Sequence, residues 1–452
     1  MRPSPAAVER LTNLARVTDD RPSLHVTLTG RDRPGVTSRL FTALAQAACD
    51  VLDLEQIVVR DHLTLSALLT PSGMPSGSSV GSQGAEPVPD SWRGMVQQSV
   101  TAVAEELAMQ VTFRDGAGES TERSTGRVHV VVLGHPLPAT AIAAIADRVA
   151  AHGANIDRIR RLSSYPVTTV ELDVSGADVG RLRDELAQVA VAVEVDIAVA
   201  PAGLARMGSR LVVMDVDSTF IQQEVIELLA AKCGREAQVA AVTERAMRGE
   251  LDFAESLRAR VAVLAGLDAT VLDQVRDEIV LTPGARTLVR TLKRLGDTVA
   301  LVSGGFIEIV GPLAAELGID HALANALEVE DGKLTGRVTG DIVDRAGKAR
   351  ALRQFAAEAE LPLSRTVAIG DGANDLDMLA AAGLGIAFNA KPVVREQADA
   401  SVTVPYLDSV LFLLGISRED IEEADAMDGI PTPAPAIPPL SLIHISEPTR
   451  PY

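Results

Sequence analysis

Two carboxylates lie two residues apart directly after an apolar stretch, Asp215 and Asp217 in the sequence LVVMDVDST (211–219). The apolar stretch predicts a buried strand, and in an open parallel sheet the carboxyl ends of the strands carry the functional site. Alternation along the strand puts both side chains on one side, where they could converge on one metal ion and one reacting group. A helix N-cap or a solvated turn is the alternative for such a pair alone.

A second apolar stretch, Thr298 to Val302, ends in Ser303, Gly304 and Gly305. A hydroxyl beside backbone N–H groups on a glycine turn can hold phosphoryl oxygens. An ordinary turn without a ligand is the alternative here. The segment is therefore a candidate phosphate-binding turn.

A third apolar stretch, Thr366 to Ile369, ends in GDGAND (370–375), with Asp371 between two glycines. Those glycines let the backbone come close while the carboxylate points at the other groups. Lys348, near the start of a predicted helix, could supply a fixed positive charge. The alternatives are a solvated lysine and, for Asp375, a carboxylate that stabilises a helix start.

The order of these motifs, DxDST, then SGG, then a lysine, then GDGxND, resembles the haloacid-dehalogenase-like phosphohydrolases. Residues 210–404 are most similar to the phosphoserine phosphatase branch of that family. Further matches to the branch are Glu224, Phe253, Arg260 and the flap-like hairpin EDGKLTGRV (330–338). One departure is DRAGKAR around Lys348, where the branch more usually has Asn and Ala before Gly-Lys. Because the lysine is retained, only its local support differs.

The resemblance implies hydrolysis of O-phospho-L-serine to L-serine and phosphate through an aspartyl-phosphate, in L-serine biosynthesis. Asp215 would be the nucleophile, and Asp217 would protonate the departing oxygen and later activate water. The implied cofactor is Mg²⁺, held by Asp215, Asp371 and the backbone carbonyl of Asp217 in an all-oxygen site. The phosphoryl oxygens would be held by Ser303, Gly304, Lys348 and Asn374, with Asp375 in support.

Selectivity for one phosphate ester must come from outside this core. Residues 221–280 have helical periodicity and predict a helical cap. Arg260 would bind the serine carboxylate and Glu224 the ammonium group, while Phe253 would exclude water. Without the resemblance, Arg260 and Glu224 would be interpreted as solvated charges, and a core position is the alternative for Phe253. Another small phosphate ester, hydrolysed or used in phosphotransfer, is the alternative substrate.

Two blocks ahead of this region share the element order βαββαβ, residues 20–115 and 126–200. The paired blocks, with GRDRPGV (30–36) and the weaker match GHPLPA (134–139), resemble ACT domains, which bind small ligands, often amino acids, at interfaces between copies. The resemblance implies an amino-acid effector and a sensing role. Its candidate contacts are Gly30, Asp32, Gly35 and Gly134; the alternative is that the glycines only make turns.

The expected fold is therefore α/β. A doubly wound, Rossmann-like parallel sheet over 208–410, with the cap inserted, follows two βαββαβ domains. The Pro-, Gly- and Ser-rich stretch 71–90 predicts a flexible insertion in the first of these. The acidic and then Pro-rich segment 417–452 predicts a disordered tail. Its last residues, 441–452, resemble read-through translation of a sequencing adapter more than they resemble native protein, and we leave them out of the fold prediction.

Length and charge bound the class of partner. The 452 residues suffice for about three domains of ordinary size. The formal net charge of −19 disfavours nucleic acid and anionic membranes as partners. No stretch reaches the ~18 uninterrupted apolar residues of a membrane span, and the N-terminus has no apolar signal core. We therefore expect a cytoplasmic protein that acts on a small molecule, and the resemblance to ACT domains implies a homo-oligomer, in the first instance a dimer.

Overall fold

The computed structural model describes five stretches of the chain, residues 22–73, 89–116, 126–203, 208–248 and 250–432. Most of the predicted insertion and the last twenty residues, including 441–452, lie outside them. The chain divides into two units, Met1–Ser124 and Thr125–Tyr452. No helix among the described residues is both long and apolar enough to cross a membrane.

The first unit has the predicted order βαββαβ. Its elements are β1 Ser23–Arg31, α1 Val36–Gln46, β2 Cys49–Val59, β3 His62–Pro71, α2 Asp90–Leu107 and β4 Gln110–Gly116. The four strands form an antiparallel sheet in the order β2-β3-β1-β4. Leu24, Val26 and Leu28 alternate along β1 into the core, as the period of a strand requires.

The second block repeats this order at the start of the second unit. Its elements are β5 Val128–Gly134, α3 Ala139–Ala151, β6 Asn155–Ser163, β7 Thr168–Ser175, α4 Val179–Val193 and β8 Asp196–Pro201. The sheet order is β6-β7-β5-β8. Val130 and Val132 pack against the helices of this block, whereas Val131 and Leu133 belong to the core of the domain that follows. Both faces of β5 are therefore buried, and its sequence is almost continuously apolar.

The remaining described residues form a seven-stranded sheet with helices on both faces. Its first part comprises β9 Leu211–Met214, a wide helical turn Val216–Phe220, α5 Val225–Lys232, α6 Glu236–Met247, α7 Phe253–Ala262, α8 Val271–Glu278, α9 Ala285–Arg294, β10 Thr298–Phe306 and α10 Ile307–Glu316. Its second part comprises β11 His321–Glu330, β12 Lys333–Thr339, α11 Arg345–Glu358, a 3₁₀ turn Leu363–Arg365, β13 Thr366–Gly370, α12 Leu376–Ala381, β14 Leu384–Phe388, α13 Pro392–Arg395, β15 Ala400–Val402, α14 Ser409–Leu413 and α15 Arg418–Met427.

The strand order β12-β11-β10-β9-β13-β14-β15 puts β9 at the centre of this sheet. Every pairing is parallel except that of β11 with β12, which form the predicted hairpin. Met214 pairs with Leu301 on one side and with Ile369 on the other. The three motifs that follow these strands therefore begin at the same level, at one edge of the sheet.

The region 221–280 forms a helical cap, as its periodicity predicts. Helices α5 to α8 make up the cap. A bridge between Ile221 and Leu281 brings the chain's entry and exit together. Asp252 caps α7 and forms a reciprocal capping box with Glu255. This fixes the start of the helix that carries Phe253 and Arg260.

The prediction of a disordered tail from Ser417 onward is wrong for its first part. Ser417 caps α15 in a capping box with Asp420, and Ile421 is buried. Asp425 is fully buried and accepts hydrogen bonds from Arg290 (2.8 and 2.6 Å) and Arg294 (2.5 Å) of α9. The acidic composition that suggested disorder is matched by basic residues far away in the sequence. The part from 433 onward lies outside the described residues.

Candidate active site

Three carboxylates meet at the carboxyl edge of the sheet. Asp215 follows β9, and Asp371 and Asp375 follow β13. One oxygen from each of the three lies within 4.8 Å of the others, which is close enough for a shared metal ion. Carboxylate oxygens are the ligands that hard divalent cations such as Mg²⁺ prefer. Asp375, which was predicted only to support the site, is thus a full member of this acidic cluster.

Lys348 lies between two members of the acidic cluster. Its Nζ is 2.7 Å from Oδ1 of Asp215 and 2.7 Å from Oδ1 of Asp375, and its side chain is 1% exposed. Burial alone would lower the pKa of Lys348, but the two carboxylates hold it above its ordinary value. Burial and the nearby Asp375 raise the pKa of Asp215 well above its usual range, although Lys348 opposes this. Three acidic groups therefore share one lysine, and a bound cation would offset the excess negative charge.

One oxygen of Asp215 is fully engaged. Its Oδ1 accepts a hydrogen bond from the N–H of Val216 (2.7 Å) as well as the contact from Lys348. Among the described residues, no such donor contacts Oδ2 of Asp215. The carboxylate is therefore held by one oxygen, and the other can face a reacting atom.

Asp217 is oriented by two donors. Its Oδ1 accepts from the N–H of Val225 (2.8 Å) and its Oδ2 from the hydroxyl of Ser303 (2.9 Å). Burial raises the pKa of Asp217, and these two hydrogen bonds counteract part of the rise. Each side-chain oxygen thus accepts one hydrogen bond, which fixes the orientation of the carboxyl group at the cavity. Ser303, predicted to bind phosphate, is fully buried and contacts Asp217.

The glycines of the motifs are explained by close packing. A Cβ at Gly370 would lie 2.4 Å from Cγ of Asp375, and one at Gly305 would lie 2.9 Å from Oγ of Ser303. Any side chain at either position would push a site residue away. These glycines let the backbone approach the carboxylates directly.

Asp371 is positioned by a residue that sequence reasoning missed. The hydroxyl of Thr219 donates to its Oδ1 at 3.2 Å. Burial and the neighbouring Asp375 raise the pKa of Asp371 to about 6. The sequence signal was available, because Thr219 is the last residue of DVDST. Sequence reasoning also missed Asn325 of β11, which does not lie in any of the sequence motifs that indicated the site.

A cavity of about 190 Å³ opens above the acidic cluster, between the sheet edge and the cap. Its lining from the core is Asp215, Asp217, Gly304, Gly305, Phe306, Asp371 and Asn374, and its lining from the cap is Glu224, Ile226, Phe253, Leu257 and Arg260. Every predicted catalytic and substrate-contacting residue lines it except Ser303 and Lys348, which lie directly behind Asp217 and Asp215. The size suits a small metabolite.

The cap contributes one anion and one cation to the cavity. Oε1 of Glu224 accepts a hydrogen bond from Ser218 (2.8 Å), and burial together with Asp217 raises the pKa of Glu224 to about 7. Burial lowers the pKa of Arg260, while the negative charges of Glu224 and Asp217 counteract this. Among the described residues, only Nε of Arg260 finds a hydrogen-bond acceptor, the carbonyl of Ser256 at 3.4 Å. Its two terminal nitrogens are thus open to a ligand.

Phe253 closes the cavity from the cap side. A Cβ at Gly304 would lie 3.1 Å from Cζ of Phe253, so the ring lies directly over the glycine turn. The side chain is half-buried and also packs against the core. The structure thus places Phe253 both over the glycine turn and against the core, and its role in excluding water stays a prediction.

The candidate effector positions have backbone explanations. In the first unit, Gly35 precedes α1 with φ of 93°, and a Cβ at Gly30 would lie 2.7 Å from Cγ of Met109. The N–H of Asp32 donates to the carbonyl of Asp61 (2.8 Å). In the second unit, a Cβ at Gly134 would lie 3.0 Å from Cα of Leu137. Close packing accounts for Gly30 and Gly134 and a left-handed turn accounts for Gly35, and effector binding stays a prediction.

Family models match three parts of the chain. Residues 212–380 match the haloacid dehalogenase-like hydrolases, and residues 23–114 and 126–200 each match an ACT domain. A phosphoserine phosphatase of Streptomyces coelicolor is 58% identical over 413 residues, which are 91% of this chain and 97% of that protein. The chain belongs to the phosphoserine phosphatase family. The family, fold class and enzyme class predicted from the motifs are thereby confirmed.

Other relatives agree. The phosphoserine phosphatase SerB2 of Mycobacterium tuberculosis is 52% identical over 409 residues, covering 90% of this chain and 96% of that protein. Among solved structures, a probable phosphoserine phosphatase from Vibrio cholerae is 35% identical with a TM-score of 0.51, and the match covers 65% of this chain and 88% of that one. The acidic cluster is the metal site expected of this class of phosphatase.

Proposed function

We propose that this phosphatase hydrolyses O-phospho-L-serine to L-serine and inorganic phosphate, with Mg²⁺ as its cofactor. The observation that carries the proposal is the cavity in which an acidic cluster faces Glu224 and Arg260. The phosphate of phosphoserine would lie at the acidic cluster. At the other end of the molecule, the ammonium group would face Glu224 and the carboxylate would face Arg260. Few other small phosphate esters present all three groups.

The donor set fits the proposed ion. Asp215, Asp371 and the backbone carbonyl of Asp217 would hold it, with Asp375 completing the negative charge around it. These ligands are all oxygen, as Mg²⁺ prefers. When bound, the ion neutralises repulsion between the phosphate dianion and the carboxylates. Lys348 supplies the only other positive charge in contact with the acidic cluster among the described residues.

Asp215 acts as the nucleophile in this proposal. Lys348 and the N–H of Val216 orient its carboxylate, and one carboxylate oxygen forms the bond to phosphorus as the bond from phosphorus to the serine oxygen breaks. Asp217, with its raised pKa, gives its proton to the departing serine oxygen. In the second half, Asp217 takes a proton from the water that attacks the aspartyl-phosphate, releasing phosphate and restoring Asp215. Gly304 and Asn374 hold the phosphoryl oxygens, with Ser303 beside them.

Arg260 and Glu224 select the substrate. The open terminal nitrogens of Arg260 suit a bidentate pair with the serine carboxylate. Glu224, when ionised, accepts from the ammonium group and keeps its orientation through Ser218. Phe253 covers the phosphoryl group and keeps bulk water out.

The ACT domains support a second proposal, regulation by an amino acid. The matches over 23–114 and 126–200 are to a class of small-ligand-binding domains. We propose an amino-acid effector near Gly30, Asp32, Gly35 or Gly134 and a homodimer that pairs these domains. Titration of the full-length enzyme with serine, followed by calorimetry and by activity, tests this proposal; no heat and no change of rate across the millimolar range would contradict it.

The direct test of the substrate is phosphate release from a panel of phosphate esters with and without Mg²⁺. We expect phosphoserine to be preferred over phosphothreonine and aryl phosphates, and activity to vanish when the metal is chelated and to return when it is restored. A preference for another ester would favour the alternative phosphatase or phosphotransferase. Activity that survives chelation would contradict the metal assignment.

A further inference from the structure

Asn325 of β11 connects two loops of the site without lining the cavity. Its side chain is 2% exposed and its amide is used at both ends. Nδ2 donates to the carbonyl of Gly304 at 2.8 Å, and Oδ1 accepts from the N–H of Val343 at 2.9 Å. The first contact is to the glycine turn after β10, and the second is to the segment that leads into α11.

The glycine turn after β10 needs this contact because the regular pairing of β10 with β11 is interrupted there. The pairing of β10 with β11 is regular up to Val302 and resumes only at Phe306, which pairs with Asn325 itself. The carbonyl of Gly304 lies in the interrupted stretch and accepts from the Asn325 side chain. A partly buried carbonyl without a donor would cost free energy, so the side chain replaces a ladder bond.

A chain of hydrogen bonds then runs from Asn325 to the proposed proton donor. The peptide between Gly304 and Gly305 is held on both sides, since the N–H of Gly305 donates to Oγ of Ser303 (2.7 Å). Because that oxygen already accepts one proton, the hydroxyl proton of Ser303 points to Oδ2 of Asp217 (2.9 Å). Each bond in such a chain orients the next.

The second hydrogen bond of Asn325 is to the segment before α11, the helix that carries Lys348. Val343 is followed by Asp344, whose side chain caps α11 by accepting from the N–H of Gly347 (2.6 Å). Lys348 is the next residue. The position of its helix start relative to β11 is therefore fixed by the same amide that fixes the glycine turn.

We propose that Asn325 is a positioning residue for phosphoryl transfer, acting on Asp217 through Gly304 and Ser303 and on Lys348 through Val343. The proposal rests on the proposed function, because it assigns Asp217 and Lys348 their parts in that reaction. Small misplacements of reacting groups reduce turnover far more than they reduce substrate binding, because the contacts to the substrate's carboxylate and ammonium groups lie on the cap. Loss of Asn325 should therefore lower kcat and leave KM nearly unchanged.

Two substitutions separate positioning from stability. Asn325→Asp keeps the shape and the acceptor for Val343 but cannot donate to Gly304, and Asn325→Ser is too short to reach either partner. The matched control is Thr366→Val at the opposite end of the sheet. Thr366 is also buried, and its hydroxyl also makes two hydrogen bonds. It donates to the carbonyl of Leu363 (2.8 Å) and accepts from the N–H of Gly383 (3.2 Å).

We expect each folded Asn325 variant to lose about 10²-fold in kcat with KM changed less than about threefold, while Thr366→Val loses thermal stability and keeps its kcat. A double-mutant cycle of Asn325→Asp with Ser303→Ala tests the route. If Asn325 acts through Ser303, the double variant loses much less than the product of the two single losses.

Two results would overturn the proposal: Asn325 variants whose kcat matches that of Thr366→Val, or losses in the cycle that multiply. A wild-type enzyme inactive on phosphoserine would instead contradict the proposed function itself. The two failures are therefore distinguishable in one set of assays.

Discussion

Two buried charge clusters in the second unit have opposite balances. Around Asp425, two arginines surround one buried carboxylate, and Arg294 also pairs with the more exposed Asp428. Burial alone would raise the pKa of Asp425, but hydrogen bonds from Arg290 and Arg294 hold it well below its usual range. At the sheet edge, Asp215 shares a single lysine with two other carboxylates, and its pKa is raised. The first cluster is complete as it stands. The second has an excess of carboxylates that could hold a metal ion, and we propose that a cation completes it.

The largest expected effect comes from removing the nucleophile. Asp215→Asn should abolish phosphate release, a loss on the order of 10⁴-fold or more, since the amide cannot accept phosphorus. Its melting temperature without metal should be unchanged or higher, because one of the crowded negative charges is gone. Steady-state assays and thermal unfolding of the same preparation measure both. Near-normal activity would exclude Asp215 as the nucleophile.

Removing Lys348 takes away the positive charge that contacts the acidic cluster and so increases its excess negative charge. Lys348→Met should lower kcat about 10³-fold and destabilise the metal-free protein by about 3 to 5 kcal/mol, because buried carboxylates lose their partner. Denaturant titration in the presence of a chelator measures the free energy of unfolding. A metal-free variant as stable as the wild type would mean that the three carboxylates are already neutral.

Arg260→Ala should separate selectivity from chemistry. We expect kcat/KM for phosphoserine to fall about 10²-fold or more, because a charge-assisted bidentate pair is lost, while that for an aryl phosphate changes little. Arg258, an exposed residue of the same helix, provides the matched control as Arg258→Ala. Equal losses on both substrates would argue against a carboxylate contact.

The raised pKa of Glu224 predicts a pH dependence. Glu224 must be ionised to bind an ammonium group, and its pKa is about 7. As pH falls below about 7, kcat/KM for phosphoserine should fall, approaching a tenfold decrease per pH unit. In Glu224→Gln, kcat/KM should be low at every pH and should lack this acidic decrease. The profile is measured from about pH 5.5 to 8.5 with an aryl phosphate alongside. An identical acidic decrease of kcat/KM in Glu224→Gln would mean that another group titrates.

Asp425→Asn is expected to have the smallest effect on activity. It should leave kcat within about twofold but cost on the order of 3 kcal/mol of stability at neutral pH. Because the folded pKa of Asp425 is depressed, its contribution is present above the unfolded value of 3.8 and is lost as pH falls through the folded pKa. The stability gap between wild type and variant should therefore narrow in acid. A constant gap in acid unfolding would contradict the ion-pair assignment.

The sequence predicted the parts of the site that depend on strand periodicity. The apolar runs ending at Asp215, Ser303 and Asp371 are strands whose ends align, so their convergence followed from parallel-sheet geometry. The bond of Ser303 to Asp217 and the role of Asn325 could not be predicted, because they depend on an interruption of the ladder between Val302 and Phe306.

The C-terminal helix was missed for a different reason. Composition described Asp425 as one of many acidic residues, but its partner Arg290 lies 135 residues earlier in the chain. Pairing over such a distance leaves no local signal. Asp375 was likewise underestimated, since only the folded loop brings its carboxylate to Lys348 and to the N–H of Gly372 (3.0 Å).

Calorimetric titration of the metal-free enzyme with Mg²⁺, in parallel for wild type, Asp371→Asn and Asp425→Asn, tests most directly whether the sheet-edge cluster is completed by a cation. We predict one site per chain in the wild type and in Asp425→Asn, and its loss or severe weakening in Asp371→Asn. No binding to the wild type, or unchanged binding to Asp371→Asn, would contradict the account.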